Sequence, residues 1–249
     1  MENPWPDDCE GAVSLTFDDA MRSQLELAVP WLAEAGLRGT FYVNPRGERW
    51  QERLAPWRDV ALAGHEVGNH TVNHVCSRNF AWATDRTLEG LTLDEMDWEI
   101  AEGKRRLLQL VPEQPEMTFC NPCYQDYVGA GPTRQSYVPL VARHHPAGRG
   151  RGEVPNHPLF ADLHHLGSFS AERMSGAEMV GYAERAATQG RWTVFTFHGI
   201  QQGGLSVNET DFKELVAHLE RHRRRIWTGT VLEVATRLRL YRDRSGSQT

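Results

Sequence analysis

Four places in this 249-residue chain put metal-binding or acid–base side chains directly after a short apolar run. Thr16-Phe17-Asp18-Asp19 ends the first run. His70-Thr71-Val72-Asn73-His74 follows the third, Cys120-Asn121-Pro122-Cys123 the fourth, and Phe197-His198 a late one. Two imidazoles four residues apart fall on one side of a helical turn, within reach of one cation. Neutral imidazole suits zinc and similar borderline metals. In a chain with eleven histidines such a pair is, by itself, more often two loop histidines than a ligand set. A carboxylate from another strand end changes those odds, because two His and one Asp with open positions make a catalytic rather than a structural metal site. Adjacent Asp18 and Asp19 repel each other. A fold tolerates them after a buried strand if a cation or an arginine neutralises one. Neighbours on an extended segment point opposite ways, so one can bind metal while the other faces substrate as a base. The competing reading is a solvated turn in which Asp caps a helix. His198, between Phe197 and Ile200, is as often a core histidine as a catalyst. A metal opposite it makes a general acid the better reading.

The elements that must position these residues follow from hydrophobic periodicity and punctuation. Strands are expected at 12–17, 39–43, 65–69, 116–120, 163–168 and 192–197, with a short one between the last two helices. Helices are expected at 23–35, 50–63 (interrupted near Pro56), 92–110, near 134–142, and at 175–189, 209–225 and 229–241. Thr92 and Glu95 form a capping-box pattern, and Gly36, Gly64 and Gly190 are helix stops. Seven or eight short strands alternating with helices predict an α/β fold, most economically a closed or nearly closed parallel barrel. In such barrels the chemistry sits at the C-terminal strand ends, where all four clusters fall.

Composition adds bounds. The chain is 40% apolar and 24% charged, ordinary for a globular protein. Residues 1–249 are expected to be one domain with its core in 12–241 and a disordered tail at 245–249. The net charge is −6, yet from His218 onward eight Arg outweigh three acids. The run Arg221–Arg225 is a solvated helix face, and nothing in the charge pattern calls for nucleic acid. No apolar run reaches the ~20 residues that cross a bilayer. Four cysteines are too few for a disulfide scaffold. The N-terminus has no basic, apolar leader, so a cytoplasmic location is expected. Cys120 and Cys123 lack a second C-x-x-C and are expected to line a tight Pro turn.

Thr-Phe-Asp-Asp, then His-Thr-x-x-His, a strand-end Pro motif and a late Phe-His closely resemble the polysaccharide deacetylase family, the NodB-like carbohydrate esterases of family 4. The leader Gly64-His65-Glu66-Val67-Gly68-Asn69 is also typical of it, and the resemblance runs from about residue 12 to 235. It implies a distorted (β/α) barrel with about seven parallel strands, that Asp18 is the general base, that Asp19, His70 and His74 hold a divalent metal (zinc, with cobalt or nickel as alternatives), and that His198 is the general acid. Pro122, Tyr124 and Phe197 are the implied substrate contacts.

Two departures stand out. The family's third motif often carries an arginine that orients the base, whereas Phe119-Cys120-Asn121-Pro122-Cys123-Tyr124 has none and is nearer a Tyr-Pro-x-Gly version. The Cys123 N–H then falls where the family supplies an oxyanion donor. One of Arg149 and Arg151, in a Gly-rich segment expected to be flexible, is a candidate to fold back onto Asp18. The Asp that tunes the acid histidine is also not obvious, and Asp162 is the candidate.

The implied activity is removal of N- or O-linked acetyl groups from an acetylated poly- or oligosaccharide. Hydrolysis of another C–N bond, in a cyclic amide or ureide, is the alternative. A non-catalytic sugar-binding domain is the alternative of another class. Trp82 is among seven tryptophans that could stack on sugars, most of them expected in the core, and residues 76–92 are expected to loop over the site.

Overall fold

A computed structural model describes residues 3–246. The elements follow in chain order. β1 (Gly11–Asp18) leads through a π-helical turn (Gln24–Ala28) into α1 (Val29–Glu34) and β2 (Thr40–Val43). Next come α2 (Trp50–Leu54), α3 (Pro56–Leu62), β3 (Glu66–Asn69), α4 (Leu93–Leu110) and β4 (Phe119–Cys120). A hairpin of β5 (Tyr127–Val128) and β6 (Gln135–Ser136) precedes α5 (Val138–His144), β7 (Gly148–Arg149) and β8 (Phe169–Ser170). The chain then runs through α6 (Gly176–Thr188), β9 (Trp192–Phe197), β10 (Gly199–Ile200), β11 (Ser206–Val207), α7 (Glu209–Arg221), β12 (Ile226–Thr228) and α8 (Val231–Arg244). The main sheet is parallel, in the order β7-β4-β3-β2-β1-β9-β8, with β12 also pairing β1 beside its N-terminal end. Its two edges meet: Gly148, Gly150 and Gly152 donate to Leu163, Leu166 and Ser168 carbonyls. The segment 163–168 is therefore the irregular seam of the barrel, and the regular strand starts only at Phe169. The helix expected near 134–142 lies at 138–144, after a hairpin that the sequence pattern hides. Residues 247–249 of the expected tail lie outside the described residues.

Strand alternation sorts the side chains. On β1 and β9 the odd positions Val13, Leu15, Phe17, Phe195 and Phe197 join the core under the helices. There Phe17 stacks on Phe41 at 4.7 Å and on Phe197 at 5.2 Å. The even positions face the barrel interior. At the N-terminal end Ala12, Trp192 and Val194 pack with Leu166 and the α8 residues Val231, Val234 and Leu238 into an apolar plug. Above it the interior turns polar: Glu66 accepts from Thr40 Oγ1, Thr118 N and Oγ1, and the Leu232 N–H at the start of α8. Glu66, Thr40 and Thr118 are buried, so the column is viable only because its members satisfy one another.

Two helix-side features hold the third strand. Asn69 Nδ2 donates to Ile100 O, and its Oδ1 accepts from Thr71 N. Gly103 on α4 makes room for it, since a Cβ there would stand 2.4 Å from Asn69 Oδ1. His145 accepts from Asn69 at Nε2, which requires its Nδ1–H to donate to Met117 O. Burial pushes the His145 imidazole down to about 3 and, with Arg38 nearby, that of His65 down to about 4. Both histidines fold neutral and are protonated more readily in the unfolded chain, so the stability they confer is full above about pH 6.5 and is lost as pH falls towards their folded values. Lowering pH from 6.5 to 4.5 is expected to cost about 2 kcal/mol per histidine, read as a falling Tm. His145→Gln is expected to flatten that slope; an unchanged slope would contradict the assignment.

Candidate active site

Asp18 is the last residue of β1 and points into the top of the barrel, where it is almost fully buried. Its counter-charge comes from Arg149. β7 pairs with β4 in the register Cys120↔Arg149, so the guanidinium crosses the interior and its Nη2 donates to Asp18 Oδ1 at 2.7 Å and Oδ2 at 2.5 Å. Nη1 donates to Ser168 and Thr196 hydroxyls. Burial alone would raise the Asp18 carboxyl, but the Arg149 guanidinium, by charge and hydrogen bond, holds it below the usual range. The arginine absent from the third motif is thus supplied one strand further on. Arg149 is a fully buried strand residue, not part of a flexible loop. Arg151, two residues later, is exposed, lines the cleft and lies over the Tyr124 ring without reaching Asp18.

Asp19 turns the other way. Its φ of 73° breaks the strand and aims its carboxylate at the loop after β3. Asp19 Oδ1 lies 3.6 Å from His70 Nε2 and 3.3 Å from His74 Nε2. His70 Nδ1 sits 2.9 Å from Cys120 O, which can only accept. His74 Nδ1 sits 3.6 Å from Cys76 Sγ, a disulfide sulfur with no proton to give. Both rings therefore carry their proton on Nδ1 and turn the Nε2 lone pair towards Asp19, a tautomer choice typical of metal-ligating histidine. Three acceptors facing one point repel unless a cation lies between them. Their spacing matches the ligand–ligand edge of a tetrahedral site, about 3.4 Å for metal–ligand bonds of 2.0–2.1 Å. The donor set therefore fits zinc or a similar dication.

The loop carrying the two histidines is not the helical turn that a four-residue spacing predicts. Thr71 and His74 have φ of 61° and 53°, and side chains take the place of helical hydrogen bonds. Asn44 donates to His70 O, Thr71 Oγ1 accepts from His74 N, and buried Glu99 accepts from both Asn73 nitrogens and from Arg86. Cys123 and Tyr124 also lie in the left-handed region, at 54° and 58°. Backbone cost at three loops converging on one cleft is the pattern expected where structure is held for function. A disulfide between Cys76 and Cys123 locks two of them together. It replaces the plain Pro turn expected for Cys123 and closes a separation of 47 residues, an entropic gain of roughly 4 kcal/mol. Cys120 stays a free, buried thiol, pushed well up by burial. Among the described residues, the Cys123 N–H has no protein acceptor.

His198 closes the ring, its Nε2 3.8 Å from Asp19 Oδ2 and 4.0 Å from Asp18 Oδ2. Buried Gln24 donates to both Asp18 O and His198 O, tying the two strand ends together. The residues surround a cleft of about 660 Å³ that Tyr124 and Glu172 also line. Three expected contacts are elsewhere. Phe197 is buried in the core against Phe17 and Phe212. Pro122 is buried in the turn and shapes it without lining the cleft. Asp162 is an exposed side chain that accepts from His164 N, and it does not tune His198.

Comparison with known proteins agrees with this architecture. The model of the family described as polysaccharide deacetylase matches residues 6–128, a little under half of the chain and the stretch holding Asp18, Asp19, His70, His74 and Cys123. A Mycobacterium smegmatis structure described as a polysaccharide deacetylase superposes with a TM-score of 0.67 at 17% identity, over 96% of this chain and 93% of that one. A family 4 acetyl xylan esterase from Clostridium thermocellum, in complex with cobalt, gives 0.55 at 17% identity over 90% of each chain. A family 4 pseudoenzyme from Bacillus anthracis gives 0.55 at 13% identity, over 92% of this chain and 66% of that one. At these identities the likeness establishes the fold. A gellan lyase from Bacillus sp is 33% identical over 70 residues, 28% of this chain and 3% of the relative's length.

Removing one partner of a buried ion pair strands the other charge. Arg149→Met is expected to destabilise the protein by about 3–5 kcal/mol in denaturant titration. Adding Asp18→Asn to it should recover a large part of that loss. Additive losses would show that the pair is not coupled.

Proposed function

We propose that the protein is a metal-dependent hydrolase that removes acetyl groups from a carbohydrate. The observation that carries this is the division of labour between two adjacent carboxylates. Asp18 is held ionised by Arg149, and Asp19 completes a triangle of lone pairs with His70 and His74. A divalent cation in that triangle, with zinc fitting best and cobalt or nickel as substitutes, supplies Lewis acidity towards the acetyl carbonyl and towards water.

The chain's own groups do the rest. Asp18 accepts the proton of the attacking water, and Arg149 keeps the carboxylate both ionised and oriented. The Cys123 N–H, fixed by its left-handed turn and the disulfide, donates to the oxygen on which negative charge develops. His198, on the far side of the carboxylates, gives a proton to the departing amine or alcohol. All six side chains, Asp18, Asp19, His70, His74, Arg149 and His198, come from the rim of one sheet, which supports reading 12–241 as one domain. The fold alone does not imply turnover, since a pseudoenzyme shares it. What supports turnover here is that base, acid and ligand triangle are all present at working distances.

The location is also an inference. The Cys76–Cys123 bond favours an oxidising compartment over the cytoplasm. No helix among the described residues is long and apolar enough to cross a membrane.

The test is acetate release from N- and O-acetylated glycans by protein stripped with a chelator and then reloaded. We expect no release after stripping and recovery with Zn²⁺ or Co²⁺. Release of ammonia or ring-opened product from cyclic amides or ureides, with none of acetate, would replace this reading with the C–N hydrolase. Sugar binding without turnover of either kind would replace it with a binding domain.

A further inference from the structure

The Cys76–Cys123 bond places two sulfurs beside a member of the ligand triangle. His74 Nδ1 lies 3.6 Å from Cys76 Sγ. One ligand atom each from His74, Cys76 and Cys123 falls within 4.8 Å of the other two. Two thiolates and one imidazole are a donor set that zinc takes, with the fourth position left to water. While the sulfurs are bonded to each other that set is closed, because the metal ligand is the thiolate. Cys123 is only half-buried and lines the cleft beside His74. A small thiol can therefore reach its sulfur, and exposed disulfides are the labile ones.

The two loops are also tied without the sulfurs. Ser77 N, next to Cys76, donates to Gln125 Oε1, two residues past Cys123, at 2.8 Å. Leu88 N holds Cys76 O, and Gln125 N closes the Cys123 turn onto Pro122 O. None of these bonds needs the disulfide, so they keep the two thiols neighbours once it opens. The His74 ring, however, cannot serve both sites. In the triangle it carries its proton on Nδ1 and offers Nε2. A neutral imidazole has one lone pair to give, so offering Nδ1 to a metal held by the cysteines puts the proton on Nε2 and removes one corner of the triangle. Soft thiolates suit zinc better than a carboxylate does, which favours the sulfur site whenever both thiols are free.

We infer that His74, Cys76 and Cys123 form a second metal site, open only when their disulfide is reduced, that draws the dication away from Asp19, His70 and His74. A dithiol opens it. One of its sulfurs attacks Cys123 Sγ and Cys76 leaves; the second sulfur then displaces Cys123. The reagent ends as its own disulfide, and its two hydrogens end on Cys76 and Cys123. The dication displaces both thiol protons to solvent as it binds. The reduced chain thus holds its metal where it does no chemistry, and the intact disulfide leaves the metal to the triangle. This goes beyond the proposed activity: it uses the triangle and makes no use of the substrate.

The test is the cobalt spectrum of the protein before and after reduction. Thiolate-bound Co²⁺ absorbs in the near ultraviolet by sulfur-to-metal charge transfer, whereas Co²⁺ on carboxylate and imidazole alone does not. The folded protein is reduced with dithiothreitol and desalted without air, and a rise from two free thiols to four confirms the reduction. Each form is titrated with Co²⁺ and, separately, with Zn²⁺. We expect one equivalent in both forms, the charge-transfer band in the reduced form alone, and a Kd for Zn²⁺ lower by about tenfold or more after reduction. Cys120 is free in both forms, so a band from it would appear before reduction too. Cys76→Ser is expected to lose the band and Cys9→Ser to keep it. Should Cys76→Ser not fold, alkylating the reduced wild type with iodoacetamide before adding cobalt is expected to remove the band as well. No band after reduction, a band in both forms, a second equivalent bound on reduction, or a disulfide that resists dithiothreitol would overturn the inference. Oxidised protein that binds no cobalt, with the band still appearing on reduction, would leave the sulfur site standing and remove the triangle on which the proposed activity rests.

Discussion

The buried ion pair between Asp18 and Arg149 is the constraint on which the rest of the site depends. A carboxylate at the top of a closed barrel has no water to stabilise it, so without a counter-charge burial would drive it neutral and useless as a base. The guanidinium reaches it only because β4 and β7 pair in parallel with Cys120 opposite Arg149. Arg149 is in turn held by hydroxyls on β9 and just before β8. The barrel seam is thus fastened by the same side chain that poises the chemistry. Stability and function share one interaction, which explains why the interior above the plug is polar, from Glu66 up to Asp18.

The second organising feature is that two neighbouring aspartates do different things. β1 runs straight to Asp18 and breaks at Asp19 with a left-handed residue. The first carboxylate therefore stays inside the barrel while the second faces the loop after β3. That loop is not stable on propensity alone. Asn69, Glu99 and Asn44 satisfy it, and Cys76 anchors its far end to the turn that presents the Cys123 N–H. Rigid strands thus supply the proposed base and its arginine. Cross-braced loops supply the proposed ligand triangle and oxyanion donor.

Much of this is legible in residue order because strand alternation and strand-end placement are local signals. The β1 run, the Asp pair, the histidine pair and His198 each sit next to a recognisable apolar stretch. Arg149 is legible as a candidate for a chemical reason, since a buried Asp needs a cation. That it is a strand residue is hidden by the glycines around it, which read as flexibility. The Cys76–Cys123 bond, the anchoring by Glu99 and Gln24, and the core position of Phe197 all depend on long-range contacts with no local signature. The helical-spacing argument brings His70 and His74 together, but through a geometry that the loop does not have. Side-chain hydrogen bonds can bring two rings to 4.7 Å without any helix.

The central claim is the split between the two carboxylates, and it is tested most directly by measuring bound metal and turnover together in Asp18→Asn and Asp19→Asn. The account predicts that Asp18→Asn keeps close to one equivalent of dication and releases no acetate, whereas Asp19→Asn loses both. An Asp18→Asn protein that turns over near the wild-type rate, or an Asp19→Asn protein that retains its metal, would contradict it.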